Sequence, residues 1–210
     1  MNFYLSPYDA KVAKVFKGAP GLFTKRMPIS GRAGLSYKKV EVPDIDWKLC
    51  RKNSFRIGSS NLTFINKSRY VEAHIIPAVI SHFVPIFENK NIQVSIRDVE
   101  RNIPYFSIKA FKIASISDKR HFLWDPGKFP LASLEFYVFS NRIHLNTLGS
   151  PYNGFGGKMI TALYNIAKDI GFCKITFDLN PKNKNAYQFY FHMDFGRFVE
   201  EMDRWEVDVN

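Results

Sequence analysis

From residue 61 onward the apolar positions fall into two periods. Alternation of apolar with polar residues, the mark of a half-buried strand, runs through Leu62 and Phe64, Ile92 to Val99, Tyr105 to Ile116, Leu131 to Phe139 and Ile143 to Leu148. Residues 174–180, KITFDLN, read as a further strand, and Arg197–Glu201 with Arg204–Val209 as a closing hairpin. A period near 3.6 residues also appears. Met159, Leu163, Ile166, Ala167 and Ile170 share one face of a helix, and Gly171 stands where a left-handed C-terminal cap ends it. Val71, Ile75, Ala78, Val79, His82, Phe83 and Ile86 share a face of a helix predicted from Arg69 to Glu88 and capped by Ser68. Pro77 and Pro85 split or kink it. A shorter helix begins after Asn183. Strands interleaved with helices make residues 58–210 an α/β (α+β) domain.

Residues 1–57 lack this regularity. Gly18, Pro20, Gly21, Pro28, Gly31 and Gly34 punctuate them. Asp9 to Phe16 reads as a short helix, and Val40 to Val42 and Phe55 to Ile57 as short strands. Phe16, Phe23, Tyr37, Trp47 and Phe55 imply that part of this segment is buried, so it is expected to be an arm or irregular subdomain packed on the core. It also carries most of the charge. The chain has a formal net charge of +11, and residues 1–57 hold twelve Lys and Arg against four Asp and Glu. That excess suits an anionic partner, either an acidic protein or nucleic acid. The bland alternative is a solvated face, and no helix-turn-helix, zinc-finger or RNA-binding signature accompanies it.

Two cysteines, Cys50 and Cys173, make neither a metal cluster nor a disulfide framework. No apolar run approaches a membrane span, and the first residues lack the apolar block of a signal peptide. The expectation is a cytoplasmic protein with no membrane partner.

The chemistry concentrates between Arg142 and Gly196. A strand ending near Leu148 runs into Gly149 and then Gly154, Phe155, Gly156 and Gly157, directly before the helix of Met159. A glycine turn opening a helix presents unpaired N–H groups at the positive end of the macrodipole, where a pyrophosphate fits. The dinucleotide fingerprint fails because Met159 takes the place of its third glycine, and the P-loop fails because Met159 also follows Lys158.

The stretch resembles instead the core of the GNAT acetyltransferase superfamily. Gly154-Phe155-Gly156 matches the glycines of that family's cofactor motif, with Pro151 where the family has Gln or Arg. Downstream, Asn183, Ala186, Phe189, Tyr190 and Phe195 match its closing pattern at the right spacing, with Asp194 where the family has glycine. The resemblance covers about a quarter of the chain. It implies a mixed, mostly antiparallel sheet with a splayed central parallel strand pair flanked by helices. It further implies an acyl-CoA-dependent N-acyltransferase taking acetyl-CoA or another acyl-CoA, with an amine acceptor that it does not name. In that reading Tyr152, Asn153, Gly154, Phe155, Gly156 and Gly157 hold the pyrophosphate. Asn146, Thr147 and Leu148 polarise the thioester carbonyl. Asn183 contacts the pantetheine arm or caps its helix, and Tyr190 is the general acid or a core ring. Glu135 and His144 are the candidate bases, each against the bland reading of an ordinary sheet residue. His74 and His82 lie on one predicted helix without a third ligand, so no metal is expected. The rival readings are a related enzyme that modifies tRNA or a DNA base, and a non-catalytic protein that keeps the fold.

Overall fold

The computed structural model describes residues 39–112, 130–150, 154–179, 183–202 and 204–209. Within them lie β1 (Lys52–Ile57), β2 (Ser60–Asn66), α1 (Ile75–Phe83), β3 (Lys90–Asp98), β4 (Pro104–Lys112), β5 (Ala132–Val138), β6 (Arg142–Gly149), α2 (Phe155–Ile170), β7 (Lys174–Phe177), α3 (Lys184–His192), β8 (Arg197–Val199) and β9 (Arg204–Asp208). The strands form one sheet in the order β1-β2-β3-β4-β5-β6-β7-β9-β8. Two neighbouring pairs are parallel, β2 with β3 and β6 with β7, and the rest are antiparallel. The fold is thus mixed α/β on a mostly antiparallel sheet.

Register explains the core. Leu62 sits opposite Ile92, Ile92 opposite Ala110, and Ala110 opposite Ala132. A parallel row runs Phe64, Val94, Ile108 and Leu134. These side chains are buried and share one face of the sheet, because successive strand residues point to opposite sides. Ile76, Val79, Ile80 and Phe83 of α1 and Met159, Ile160, Leu163 and Ile166 of α2 join them in one apolar cluster. Each such side chain contributes about 1.5–3 kcal/mol on burial. The opposite face carries Arg97, Tyr105, Ser107, Glu135, Tyr137 and His144.

Three expectations shift. The helix predicted from Arg69 starts only at Ile75. Ser68 does not cap it: its hydroxyl donates to Asp98, and the Arg69 amide donates to the same carboxylate at 2.9 Å, which ties this segment to β3 instead. Pro77 is then in the first turn, where its missing N–H costs nothing, and Pro85 opens a short 3₁₀ turn over Val84–Phe87. Val40 to Val42 form no strand; the Val40 amide donates to the Ser81 carbonyl of α1. Residues 52–57, assigned above to the arm, form β1 along the edge of β2. Trp47 is buried with its ring 5.1 Å from Phe55 and 4.9 Å from Phe64. Lys39 reaches Asp169 of α2, which also bonds His82 of α1 at 2.7 Å. The helix expected over Asp9–Phe16 lies outside the described residues, and so do residues 117–129 of the loop that the sequence suggests from Ser117 to Pro130. Among the described residues no helix is long and apolar enough to cross a membrane.

Candidate active site

β6 and β7 run parallel for only three residue pairs: Arg142 with Lys174, Ile143 with Ile175 and His144 with Thr176. β7 ends at Phe177, while β6 continues to Gly149. On its other side β6 keeps pairing with β5, but with a bulge. Glu135 pairs with Thr147 and Phe136 with Leu145, so Asn146 is an extra residue on β6. A bulge bends its strand and re-aims a side chain. Here Asn146 and Thr147 come together on the face away from the helices, with Asn146 Nδ2 3.3 Å from Thr147 Oγ1. The same amide nitrogen donates to Tyr105 Oη at 3.3 Å, and that hydroxyl donates to Glu135 Oε2 at 2.6 Å. Leu148 stands opposite Leu134 on the helix side and packs against the core.

Glu135 is heavily engaged. Besides Tyr105 it accepts from Ser107 Oγ at 3.0 Å and lies 3.9 Å from Lys109 Nζ. Burial and the bond to Glu135 push the Tyr105 phenol well above its ordinary value. Tyr105 was not singled out by sequence, where it reads as one more strand aromatic. Only its register opposite Tyr137, one strand from the bulge, brings it to the site.

His144 occupies the floor of an open cavity of about 740 Å³, with Arg97, Asp98, Glu100, Tyr137, Arg142 and Asp178 among the groups around it. Its Nδ1 lies 3.0 Å from Thr176 Oγ1 and its Nε2 3.8 Å from Asp178 Oδ2. Burial lowers its pKa from the ordinary value; Asp178 opposes this, and Arg142 and Arg204 reinforce it. The imidazole is therefore neutral at pH 7 and has a lone pair to accept a proton. Across the sheet, register aligns Arg97, Tyr105, Tyr137, His144, Thr176 and Glu206 in one row. Glu206 is tied to Lys174 at 2.9 Å and to Arg204 at 2.6 Å, and those two bonds hold its carboxyl below the usual range.

The glycine turn leads into α2 as its pattern predicts. Gly154 is the N-cap residue at φ 87° and the helix opens without a side-chain cap. The amides of Phe155, Gly156 and Gly157 form its first turn, which has no intrahelical acceptors. The three glycines differ in what they accommodate. A β-carbon on Gly154 would face open space, whereas on Gly156 it would lie 3.3 Å from the Phe189 ring and on Gly157 3.2 Å from Met193 Cε. The latter two allow α2 to approach α3 closely. Tyr152 and Asn153, also expected at this site, lie outside the described residues.

Asn183 is the N-cap of α3: its Oδ1 accepts from the Ala186 amide at 3.2 Å. Tyr190 is fully buried between Phe177, Phe195 and Trp205, with its ring 4.3 Å from Phe177. Burial raises its phenol far above the ordinary value, so it is a neutral hydroxyl inside an aromatic cluster. Among the described residues no group of three or more His, Cys, Asp or Glu could hold a metal ion. The structure thus brings Glu135, His144, Asn146 and Thr147 to one face and the α2 amides to the far end of β6. It sets Tyr190 behind them among the aromatic rings of β7, α3 and β9. No protein-family model matches the chain, and no curated protein matches it.

Proposed function

We propose that the chain is an acyltransferase of the GNAT type that moves an acyl group, acetyl in the first instance, from acetyl-CoA to an amine. The observation that carries this reading is the parting of β6 from β7 after His144, followed at the end of β6 by the uncapped first turn of α2. A strand whose neighbour stops early keeps backbone donors and acceptors for an extended ligand. The edge of β6 from Leu145 to Gly149 would take the coenzyme's arm. Gly154 and the amides of Phe155, Gly156 and Gly157 would take its phosphates, with Tyr152 and Asn153 beside them as the resemblance implies. The coenzyme supplies the activated acyl group: the amine nitrogen bonds to the carbonyl carbon as the carbon–sulfur bond breaks.

The side chains have separate tasks in this reading. His144, neutral and facing the cavity, takes the proton of the amine. Glu135 is the weaker base candidate, because Tyr105, Ser107 and Lys109 already engage its carboxylate; it positions Tyr105 against Asn146. Donors at Asn146 to Leu148 polarise the thioester carbonyl. Asn183 orders the start of α3 through its cap, and Tyr190 is the acid that the resemblance implies for the leaving thiolate, a role that requires the arriving coenzyme to open the aromatic cluster now enclosing its hydroxyl.

Calorimetry with acetyl-CoA on the folded protein tests the reading, and absence of binding overturns it. Tyr190→Phe should lower turnover about 100-fold with little change in coenzyme affinity; unchanged turnover removes Tyr190 from the mechanism. The basic segment before residue 58 supports a second reading in which the acceptor is a nucleic acid. Binding of RNA or DNA that weakens steeply with salt is its signature. Acetyl-CoA binding without transfer to any amine would favour a non-catalytic role.

A further inference from the structure

The cavity on the open face carries charge of both signs, unequally committed. Arg204 is bonded to Glu206, and Asp98 accepts from Ser68 and Arg69. Arg97 and Arg142 form no ion pair with any described residue. Each lays its guanidinium over a ring instead, Arg97 at 4.9 Å from the Tyr105 centroid and Arg142 at 4.8 Å from that of Phe139. Stacking occupies the guanidinium face and leaves the N–H edge for a carboxylate or a phosphate. Asp178 offers the opposite charge: its carboxylate is 42% exposed and 3.8 Å from His144 Nε2.

Register sets the spacing. Arg142 and His144 share a face of β6 two residues apart, about 6.6 Å along the strand. Arg97 lies in the cross-strand row of His144, three strands away, roughly 14 Å between backbones, and leans over Tyr105 on the adjacent strand β4. Tyr137 forms the floor between them, its ring 4.8 Å from Tyr105 and 6.1 Å from His144. By sign the lining is balanced: Arg97, Arg142 and Arg204 against Asp98, Glu100 and Asp178. A phosphate polymer crossing it would meet three carboxylates as well as three guanidiniums, and the volume is that of a small-molecule site. A ligand with one group of each sign meets its complement at both ends.

We propose that this cavity is the acceptor subsite and that its ligand is a small zwitterionic amine, the oxyanion held by Arg97 and Arg142 and the amino group by Asp178 beside His144. The fate of that amine rests on the acyl-transfer reading; its binding does not. The shared chemistry is an amine with a carboxylate or a phosphate.

The test is titration of the full chain, followed by the His144 imidazole resonances, with 6-aminohexanoate and O-phosphoethanolamine. Butylamine and hexanoate are the single-charge controls, and heptauridylate is the polymeric one. At least one zwitterion should bind about tenfold or more tightly than either single-charge control, and which one responds distinguishes carboxylate from phosphate. Arg142→Ala, or Arg142→Gln where a milder change is needed to keep the fold, should bring that zwitterion level with butylamine. Asp178→Asn should weaken the zwitterion and butylamine alike. Zwitterions no tighter than their controls, or heptauridylate displacing them with an affinity that Arg142→Ala abolishes, overturns the proposal. Acetyl-CoA is titrated in parallel. If it binds and no zwitterion does, this proposal falls alone. If a zwitterion binds and acetyl-CoA does not, the transfer reading falls and the subsite stands.

Discussion

His144 sits where three influences meet. Burial strips water from the imidazole, Arg142 and Arg204 oppose a second positive charge, and only Asp178 favours one. Its pKa in the folded protein is accordingly below the ordinary 6.5. Two consequences follow, with the same sign. Between the folded and unfolded values the unfolded chain binds more protons, so stability rises with pH there and falls as pH drops from 7 through that window. Replacing the group with Gln at position 144 should flatten that part of the stability curve. Denaturant melts of the two proteins between pH 5 and 7.5 give the difference, which isolates the contribution of His144. A difference curve independent of pH would show that the site does not depress the imidazole. In the proposed transfer reaction the acid limb of kcat/KM should likewise fall below 6.5, because that reading needs His144 unprotonated. Alternation along β6 placed His144 on a strand, but sequence did not say what faced it. Arg97 comes from β3 and Asp178 directly follows the end of β7, and only the order of strands in the sheet brings them to the same cavity.

At the level of the element, the turn after α3 shows how local chemistry and packing divide the work. Asp194 adopts φ 50° and Gly196 φ 76°, both left-handed. Asp tolerates this region better than most residues, which accounts for an aspartate at a position where the resembling family has glycine. Asp194→Gly should therefore stabilise the protein by about 0.5–1 kcal/mol, the relief of left-handed strain exceeding the entropy that glycine loses on folding. Gly196→Ala should do the opposite. Its β-carbon would lie 2.2 Å from the Glu206 carbonyl oxygen on β9, and the clash adds to the strain, for a cost of at least about 2 kcal/mol. Thermal melts of both variants check this; a destabilised Asp194→Gly or a neutral Gly196→Ala contradicts the account. These elements were largely legible in advance. Alternation located β3, β4 and the β8–β9 hairpin, and the 3.6-residue period located α2 with its cap at Gly171, which takes φ 82°. The start of α1 was not, because Ser68 is drawn to Asp98 thirty residues away, and no local pattern encodes a bond of that range. Gly156 and Gly157 were read for what they offer a ligand; their missing β-carbons also make room for Phe189 of α3 and for Met193 at its C-cap.

Over the whole molecule the sheet is continuous in order but unevenly joined. β1 to β6 share long ladders, nine residue pairs in β3–β4 alone, and β7, β9 and β8 form a small sheet with α3 and its aromatic cluster. Three pairs, ending at His144 and Thr176, connect the two parts. Beyond them, among the described residues, the edge of β6 faces no strand, and this is the slot that the transfer reading fills with a coenzyme. Backbone amides along an unpaired edge exchange with solvent quickly, while those inside a ladder exchange only by larger opening. In the protein alone, amides of residues 145–149 on the side facing β7 should exchange fast beside the slow ladder of β3 and β4. Saturating acetyl-CoA should slow them about tenfold or more, together with the first turn of α2 at residues 155–157, because an extended ligand would take up the same groups. Residues 104–112 should be left nearly unchanged beyond the general gain from binding. Amide exchange followed by mass spectrometry, with and without the ligand, resolves these segments. Protection spread evenly over the sheet would mean that acetyl-CoA stabilises the fold from elsewhere. Protection confined to 155–157 would leave the phosphates bound and the strand edge empty, removing the gap between β6 and β7 as the place where an acyl group is presented.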